Sequence, residues 1–376
     1  MKRLKTLSAL ALLVFACAML LPAAWTSKRL TYNSGGSEIP GIAVSGANIY
    51  VVWMDNTTGN WEIYFRRSSD SGVTWMTSKR LTHNAGDSMF PSVAASDDNV
   101  YVTWHDETPG QLDIYFRRST DSGATWESAK RLTNNTGSSQ TTRVAMSGSN
   151  VYVCWSDNTP GNCEIYFRKS TDSGATWMAA KRITNNFGYS LFPAIATDGA
   201  NIYAAWGDST PGNFAIYFKK STDEGSHWGA VKRLSKSSYY WDTPAMAVNG
   251  SSIFLACLSN STGNNEIHFT KSEDSGATWA SFQQMTDTSG DSQAPKIAVS
   301  GANVYLVWYD DDPGNDEVYF RKSASSGDSW GSAQRLTTNA GDSAYPTVAV
   351  NAVNVYVAYH DTLQGDTEIY VKYKPL

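Results

Sequence analysis

One spacing constrains this chain more than any other feature. Trp75, Trp126, Trp177, Trp228, Trp279 and Trp330 follow one another at intervals of 51 residues. Trp53, Trp104, Trp155, Trp206 and Trp308 keep the same period, with Cys257 and Tyr359 in the two remaining slots. A fixed period of this length means one supersecondary unit stacked on copies of itself. Ahead of the first copy, Met1 to Lys5 is basic and Leu7 to Leu21 is an apolar run, the pattern of a secretory signal peptide with cleavage expected near Ala23 or Ala24. Residues 25–376 then number 376 − 24 = 352, about 6.9 periods of 51. Seven copies fill them and leave no room for a second domain.

Within one copy, Ile42-Ala43-Val44, Asn48 to Trp53, Glu62 to Arg67 and Ser78 to Thr82 are short apolar or β-branched runs. Each is bounded by Gly, Asn, Asp or Pro, which makes four strands of a meander. No segment carries a helical period of useful length. Repeated four-stranded meanders predict an all-β chain, a seven-bladed β-propeller of antiparallel blades. The chain stops at Leu376 just after the third strand of its last copy, while Lys28 to Tyr32 is left over at the start. Pairing the two completes the seventh blade and removes two open sheet edges.

Composition narrows the partners. Three of the 30 basic residues lie before Ala24, so 27 basic face 35 acidic residues after it. Phosphate binding wants a basic field, and nucleic acid is therefore disfavoured. The leading apolar run is too short to span a bilayer, so the expectation is a secreted or extracytoplasmic protein that is not membrane-spanning. Lipoprotein anchoring at Cys17 is the alternative. Cys154, Cys163 and Cys257 are too few and too odd in number for a disulfide framework, although Cys154 and Cys163 fall on neighbouring strands where a bridge could form.

The turn between the third and fourth strands reads Ser68-Ser69-Asp70-Ser71-Gly72-Val73-Thr74-Trp75. It recurs around Asp121, Asp172, Asp223 and Asp274, and degenerates at Ser323 to Trp330, where Ser325 replaces the Asp. This resembles the Asp-box, or BNR repeat, of the sialidase-like superfamily, and the resemblance covers residues 25–376. It implies a folding role for the boxes, with each Asp a buried acceptor of its own turn's amides, on the side away from the active face. It also implies an enzyme hypothesis: sialidases of this superfamily hold a carboxylate with three arginines, attack with a Tyr activated by a Glu, and usually carry an R-I-P motif. Here the nearest sequence is Glu38-Ile39-Pro40, with Glu in the place of Arg.

In a repeat protein a site is expected where one copy departs from the others. Of the 27 basic residues, 23 fall in two repeated slots, the register of Arg66 and Arg67 and that of Lys28 and Arg29. Arg143, Lys236, Lys296 and Lys374 do not. Before the fifth copy, Tyr239-Tyr240-Trp241 replaces a Gly-containing turn, either as a platform for sugar rings or as packing on a neighbour. Arg143, Lys296, Tyr239, Tyr240, Trp241, Trp61 and Tyr309 form the expected ligand-binding set, with no catalytic residue assigned. Two acidic registers, Asp55 with its copies and Glu62 with its copies, are read as turn and cross-strand residues. A Ca²⁺ ring is their alternative use. The five histidines show no metal spacing. The leading expectation is a binding module for glycans or a cell-surface partner. The alternatives are an exo-sialidase and a structural surface-array protein.

Overall fold

The computed structural model describes residues 24–210, 212–236, 238–363 and 365–376. The leading apolar run and Cys17 lie outside them. The described residues form seven four-stranded antiparallel sheets, each a blade, and contain no helix. The first blade runs from its innermost strand Ser37–Ser45 through Asn48–Asp55 and Glu62–Ser68 to the two-residue outer strand Lys79–Arg80. Five further blades repeat it. The seventh consists of Ser343–Val350, Asn354–Asp361 and Glu368–Pro375, completed by Thr26–Arg29 from the start of the chain. Thr26 pairs with Tyr373 and Arg29 with Tyr370, the expected closure.

Each second strand is buried on both sides, because a blade packs one face on each neighbour. Trp53, Trp104, Trp155, Trp206 and Trp308 are at most 2% exposed. The indole of Trp53 donates to Asp55, whose carboxylate also accepts from Ser37, Asn33 and the Thr57 amide at 2.6 to 3.2 Å. Asp106, Asp157 and Asp208 repeat this four-donor arrangement. The Glu62 register pairs with the outer strand, Arg80 to Glu62 at 2.6 Å, and four other blades do the same. Both acidic registers are thus engaged by folding donors.

The repeated cations join blade to blade. Arg66 donates to the Leu30 carbonyl of the preceding blade, Arg117 to that of Leu81 and Arg168 to that of Leu132. Arg67 reaches the next blade's box at the Ser122 carbonyl. Gly123 of that box needs its φ of 82° and leaves no space for a side chain, since a Cβ there would lie 2.4 Å from the Phe65 ring. Trp126 meets the same ring edge-on at 5.0 Å. Trp25 makes the equivalent contact with Phe320 at 5.0 Å, so a tryptophan that no repeat register accounted for extends this edge-on series.

The loops divide into two faces. Box turns meet the turns between first and second strands, as in Ser71 N–H to Ala47 O. The loops entering each blade meet those between second and third strands on the opposite side, as in Asn56 N–H to Gly36 O. In the boxes, Asp70 accepts from the Thr74 amide and hydroxyl at 2.8 and 2.6 Å and from Ser68 at 2.8 Å. The expectation of burial is corrected: Asp70 and Asp172 are exposed, because the box turn projects from the rim and its donors come from the turn itself. Those hydrogen bonds, first from the Thr74 hydroxyl, hold the Asp70 carboxyl down to about 2. Cys154, Cys163 and Cys257 are free thiols, so the bridge considered between the first two is not formed.

Candidate functional site

The innermost strands line an axial channel, and one irregularity repeats around it. Ile39, Phe90, Thr141, Phe192, Thr243, Ala294 and Tyr345 all have φ between 47° and 53°. Each sits at a β-bulge where the pairing of first and second strands shifts. A left-handed conformation is costly for bulky and β-branched residues, so a ring of seven is a property of the closed assembly. In six of the seven blades a proline follows, Thr142 being the exception. Proline brings no amide to the ladder, which suits a bulge. The bulges re-aim the following side chains into a cavity of about 280 Å³ on the side of the blade-entry loops.

At one register of the innermost strands the seven blades carry Gly41, Ser92, Arg143, Ala194, Ala245, Lys296 and Thr347, of which Gly41, Ser92, Arg143, Lys296 and Thr347 line the cavity. Arg143 and Lys296 stand among small residues, three blades apart in a ring of seven. Arg143 donates to the Thr142 carbonyl at 2.8 Å and Lys296 to that of Pro295 at 3.3 Å. Neither forms an ion pair among the described residues. Enclosure by protein, then the Arg143 charge, pushes the Lys296 ammonium down to about 7. Closer to the rim, burial raises Glu38 and pushes Asp242 up to about 6. Asp242 fills the space left by Gly207 of the neighbouring blade and accepts from the Tyr240 hydroxyl at 2.6 Å. Burial, then this hydrogen bond, raises the Tyr240 phenol. His105 and His360, on second strands at the same rim, are pushed down to about 4 by burial.

A family description, the BNR repeat-like domain, matches residues 100–357. The chain belongs to the BNR repeat-like family. No curated protein matches its sequence. Among solved structures it is similar to the polysaccharide lyase Uly1, with a TM-score of 0.61, 9% identity and 90% of each chain covered. It is also similar to the alpha-L-arabinofuranosidase of Fusarium graminearum in complex with arabinobiose, with a TM-score of 0.55, 14% identity, and 77% of this chain and 93% of that one covered. The endosialidase of phage phi92 has a TM-score of 0.55 at 10% identity, covering 94% of this chain and 69% of that one. At such identities the likeness is one of fold.

The BNR propeller gathers some of the expected site residues and separates others. Arg143 and Lys296 share the channel. Tyr239 and Tyr240 are exposed on the entry loop of the fifth blade. Tyr309 is buried and donates to Gln293 at 3.1 Å, with its ring 5.5 Å from Tyr345 at the rim. Trp61 is half-buried against the core beside Ile39 and Met89. Trp241 is corrected: it is 6% exposed and packs with Cys257, Leu255 and Ile216. The reason is a local exchange. Cys257 stands where five blades have Trp and the seventh has Tyr359, Ser259 stands where the other blades have Asp, and Trp241 stands where they have Ser. The fifth blade therefore supplies its core indole from the first strand instead of the second. Two exposed aromatics on the fourth blade's entry loop, Phe187 and Tyr189, were not in the expected set. Their signal was present, since Asn186-Phe187-Gly188-Tyr189-Ser190 keeps the turn's Asn, Gly and Ser but fills both variable positions with aromatics.

Proposed function

We propose that this BNR propeller is an extracytoplasmic glycan-binding module, taking sugars free or displayed on a cell-surface partner through the face of its blade-entry loops. The observation that carries this is a cluster of aromatics at the surface, Phe187 and Tyr189 on one entry loop and Tyr239 and Tyr240 on the next. Phe187 is fully exposed and Tyr189 is 54% exposed, which is no place for a core residue. Aromatic faces stack on the apolar faces of sugar rings, and neighbouring polar groups fix orientation. The solved neighbours named for saccharide chemistry support this reading by analogy of fold.

Glycoside hydrolysis is the second reading, and the burial of Asp242 favours it, because burial outweighs the Tyr240 hydrogen bond and holds the carboxyl near 6, where it can act as an acid or a base. In the Tyr240–Asp242 contact the carboxylate accepts the Tyr240 hydroxyl, and burial raises the phenol, so Tyr240 could attack only with Asp242 taking its proton as general base. The test is binding of residues 25–376 to a glycan array beside hydrolysis of a fluorogenic sialoside and a fluorogenic arabinofuranoside. Array binding lost in Phe187→Ala and Tyr239→Ala, with no turnover, supports the module. Turnover abolished by Asp242→Asn supports the enzyme.

A further inference from the structure

We propose that the joint between the sixth and seventh blades is a docking site for a Ser-x-Asp-x-Gly turn carried by another protein. Seven blades make seven joints, and on the box face six of them are sealed by the box glycine of one blade lying against an aromatic ring of the blade before it. Gly123 presses on Phe65, and Gly174, Gly225, Gly276 and Gly327 repeat this at the next four joints, so closely that a Cβ would lie 2.4 to 2.6 Å from the ring. Gly72 packs on Tyr356 and Tyr373, and the Tyr356 hydroxyl donates to the Ser71 carbonyl at 3.3 Å. A cation completes five of the seals: Arg67, Arg118, Lys169, Lys220 and Lys271 each donate to the next blade's box at 2.5 to 3.3 Å.

Phe320 is the counterpart of Phe65 and Lys322 of Arg67, yet among the described residues no box turn meets them. The reason is local. Lys374, Pro375 and Leu376 stand at the first three positions of a box, but the third strand of the seventh blade runs straight on to Pro375 where other blades turn. Pro375 pairs with Asn354, and the Leu376 amide donates to the Val353 carbonyl at 3.0 Å. Only the tryptophan of the seal is kept, by Trp25 at 5.0 Å from Phe320. A cavity of about 280 Å³ lined by Tyr305, Phe320, Lys322, Val355 and Leu376 stands in the place of the turn. The Lys322 ammonium lies over the Tyr305 ring instead, 5.4 Å from its centroid.

The six sealed joints define the occupant. Its glycine must have the φ of 79° to 88° found in all six boxes and must lack a Cβ, which the aromatic ring would not admit. Its carbonyls or its Asp carboxylate face Lys322, a charge-assisted contact like that of Lys271 with Asp328 at 2.6 Å. Seating the turn restores to Phe320 the dispersion contacts that the cavity forfeits. This chain has no such turn to spare: the six box glycines of a second folded copy are already packed in its own joints, and residues 1–23 contain neither Gly nor Asp. The turn therefore comes from a different protein. This site lies on the box face, and it holds whether or not the entry-loop face binds sugars.

The experiment titrates residues 25–376 with a cyclised peptide of the third blade's box, Ser170 to Trp177, in calorimetry and by amide chemical shifts. Binding should shift Tyr305, Phe320 and Val355, and the same peptide carrying Gly174→Val should not bind. Lys322→Ala should weaken binding about tenfold, as for one charge-assisted hydrogen bond lost. A second variant fills the socket from within: replacing Lys374-Pro375-Leu376 by those eight box residues should raise Tm and abolish peptide binding. No binding at millimolar peptide, equal binding of the Gly174→Val peptide, or an unchanged Tm in the filled variant overturns the proposal. So does self-association of the wild type that the filled variant loses in sedimentation, since a second copy would then be the occupant.

Discussion

The two faces of the disc follow different rules. On the box face, turn after turn repeats the same Ser, Asp, Gly and Trp, and even the degenerate sixth box substitutes Ser325, which accepts the Ser329 amide at 3.0 Å. On the entry-loop face the same structural slot holds Gly41 in one blade and Arg143 in another, and one entry loop carries Gly35-Gly36 where another carries Tyr239-Tyr240. Repetition is what a ring needs, because every interface is the same interface. Variation is tolerated where the interface is not. The fifth blade adds a qualification: Trp241 departs from its register yet remains a core residue, so a break in the pattern marks a ligand surface only when the side chain is also exposed.

The comparison can be broken most severely at the closure. Deleting Trp25 to Asn33 removes the outer strand of the seventh blade and the Trp25–Phe320 contact. The largest loss of Tm is expected here, together with association through the bared edge, measured by thermal melts and sedimentation. A deletion variant that melts as wild type and stays monomeric would overturn the closure.

Next in size, Trp241→Ala should cost about 3 to 5 kcal/mol in a denaturant titration, as for a large core side chain removed, without changing glycan-array binding. Restoring the common pattern with Trp241→Ser, Cys257→Trp and Ser259→Asp together should recover most of that loss. If the single variant is neutral in stability and alters ligand affinity, Trp241 belongs to the site after all.

A smaller pair sharpens the contrast between buried and exposed carboxylates. Asp55→Ala strands the donors of Asn33, Ser37 and Trp53 inside the blade and should cost about 3 kcal/mol. Asp172→Ala, at an exposed box turn whose donors can turn to water, should cost measurably less in the same titration. The opposite order would mean that the box turns hold the ring more firmly than the buried network.

The last contrast is a pH slope. Lys296 binds its proton less tightly in the folded ring, near 7, than in the unfolded chain, near 10.4. Between those values the unfolded chain holds more protons, so this group makes the wild type gain stability as pH rises from about 7 toward 10. The gain should be absent from the Lys296→Met profile and should reappear as the difference between the two profiles. Arg143 faces the same channel, and the nearest rim carboxyls on the innermost strands are Glu38 and Asp242.

Much of the fold was legible in the primary structure. The 51-residue period set the blade, the left-over Lys28 to Tyr32 set the closure, and the boxes set the family. The cations were separable into repeated and unrepeated by counting alone. The exposed pair Phe187 and Tyr189 could have been found by the same counting applied to loops, since both occupy variable positions of a turn that other blades fill with small or polar residues. The ring of left-handed residues was not legible, because Ile, Phe and Thr do not advertise positive φ. Only the proline that follows six of the seven hints at a bulge.

What the sequence by itself determined was therefore everything local to one copy: its strands, turns, buried tryptophans and box. Those follow from side-chain period and turn chemistry within some 50 residues of chain. The tertiary structure alone decided what depends on all seven copies at once. Ring closure brings Arg143 and Lys296, 153 residues apart, to one level of one channel. Close packing between blades decides that Trp241 turns inward to fill the volume that Cys257 leaves, while Tyr239 and Tyr240 beside it stay at the surface.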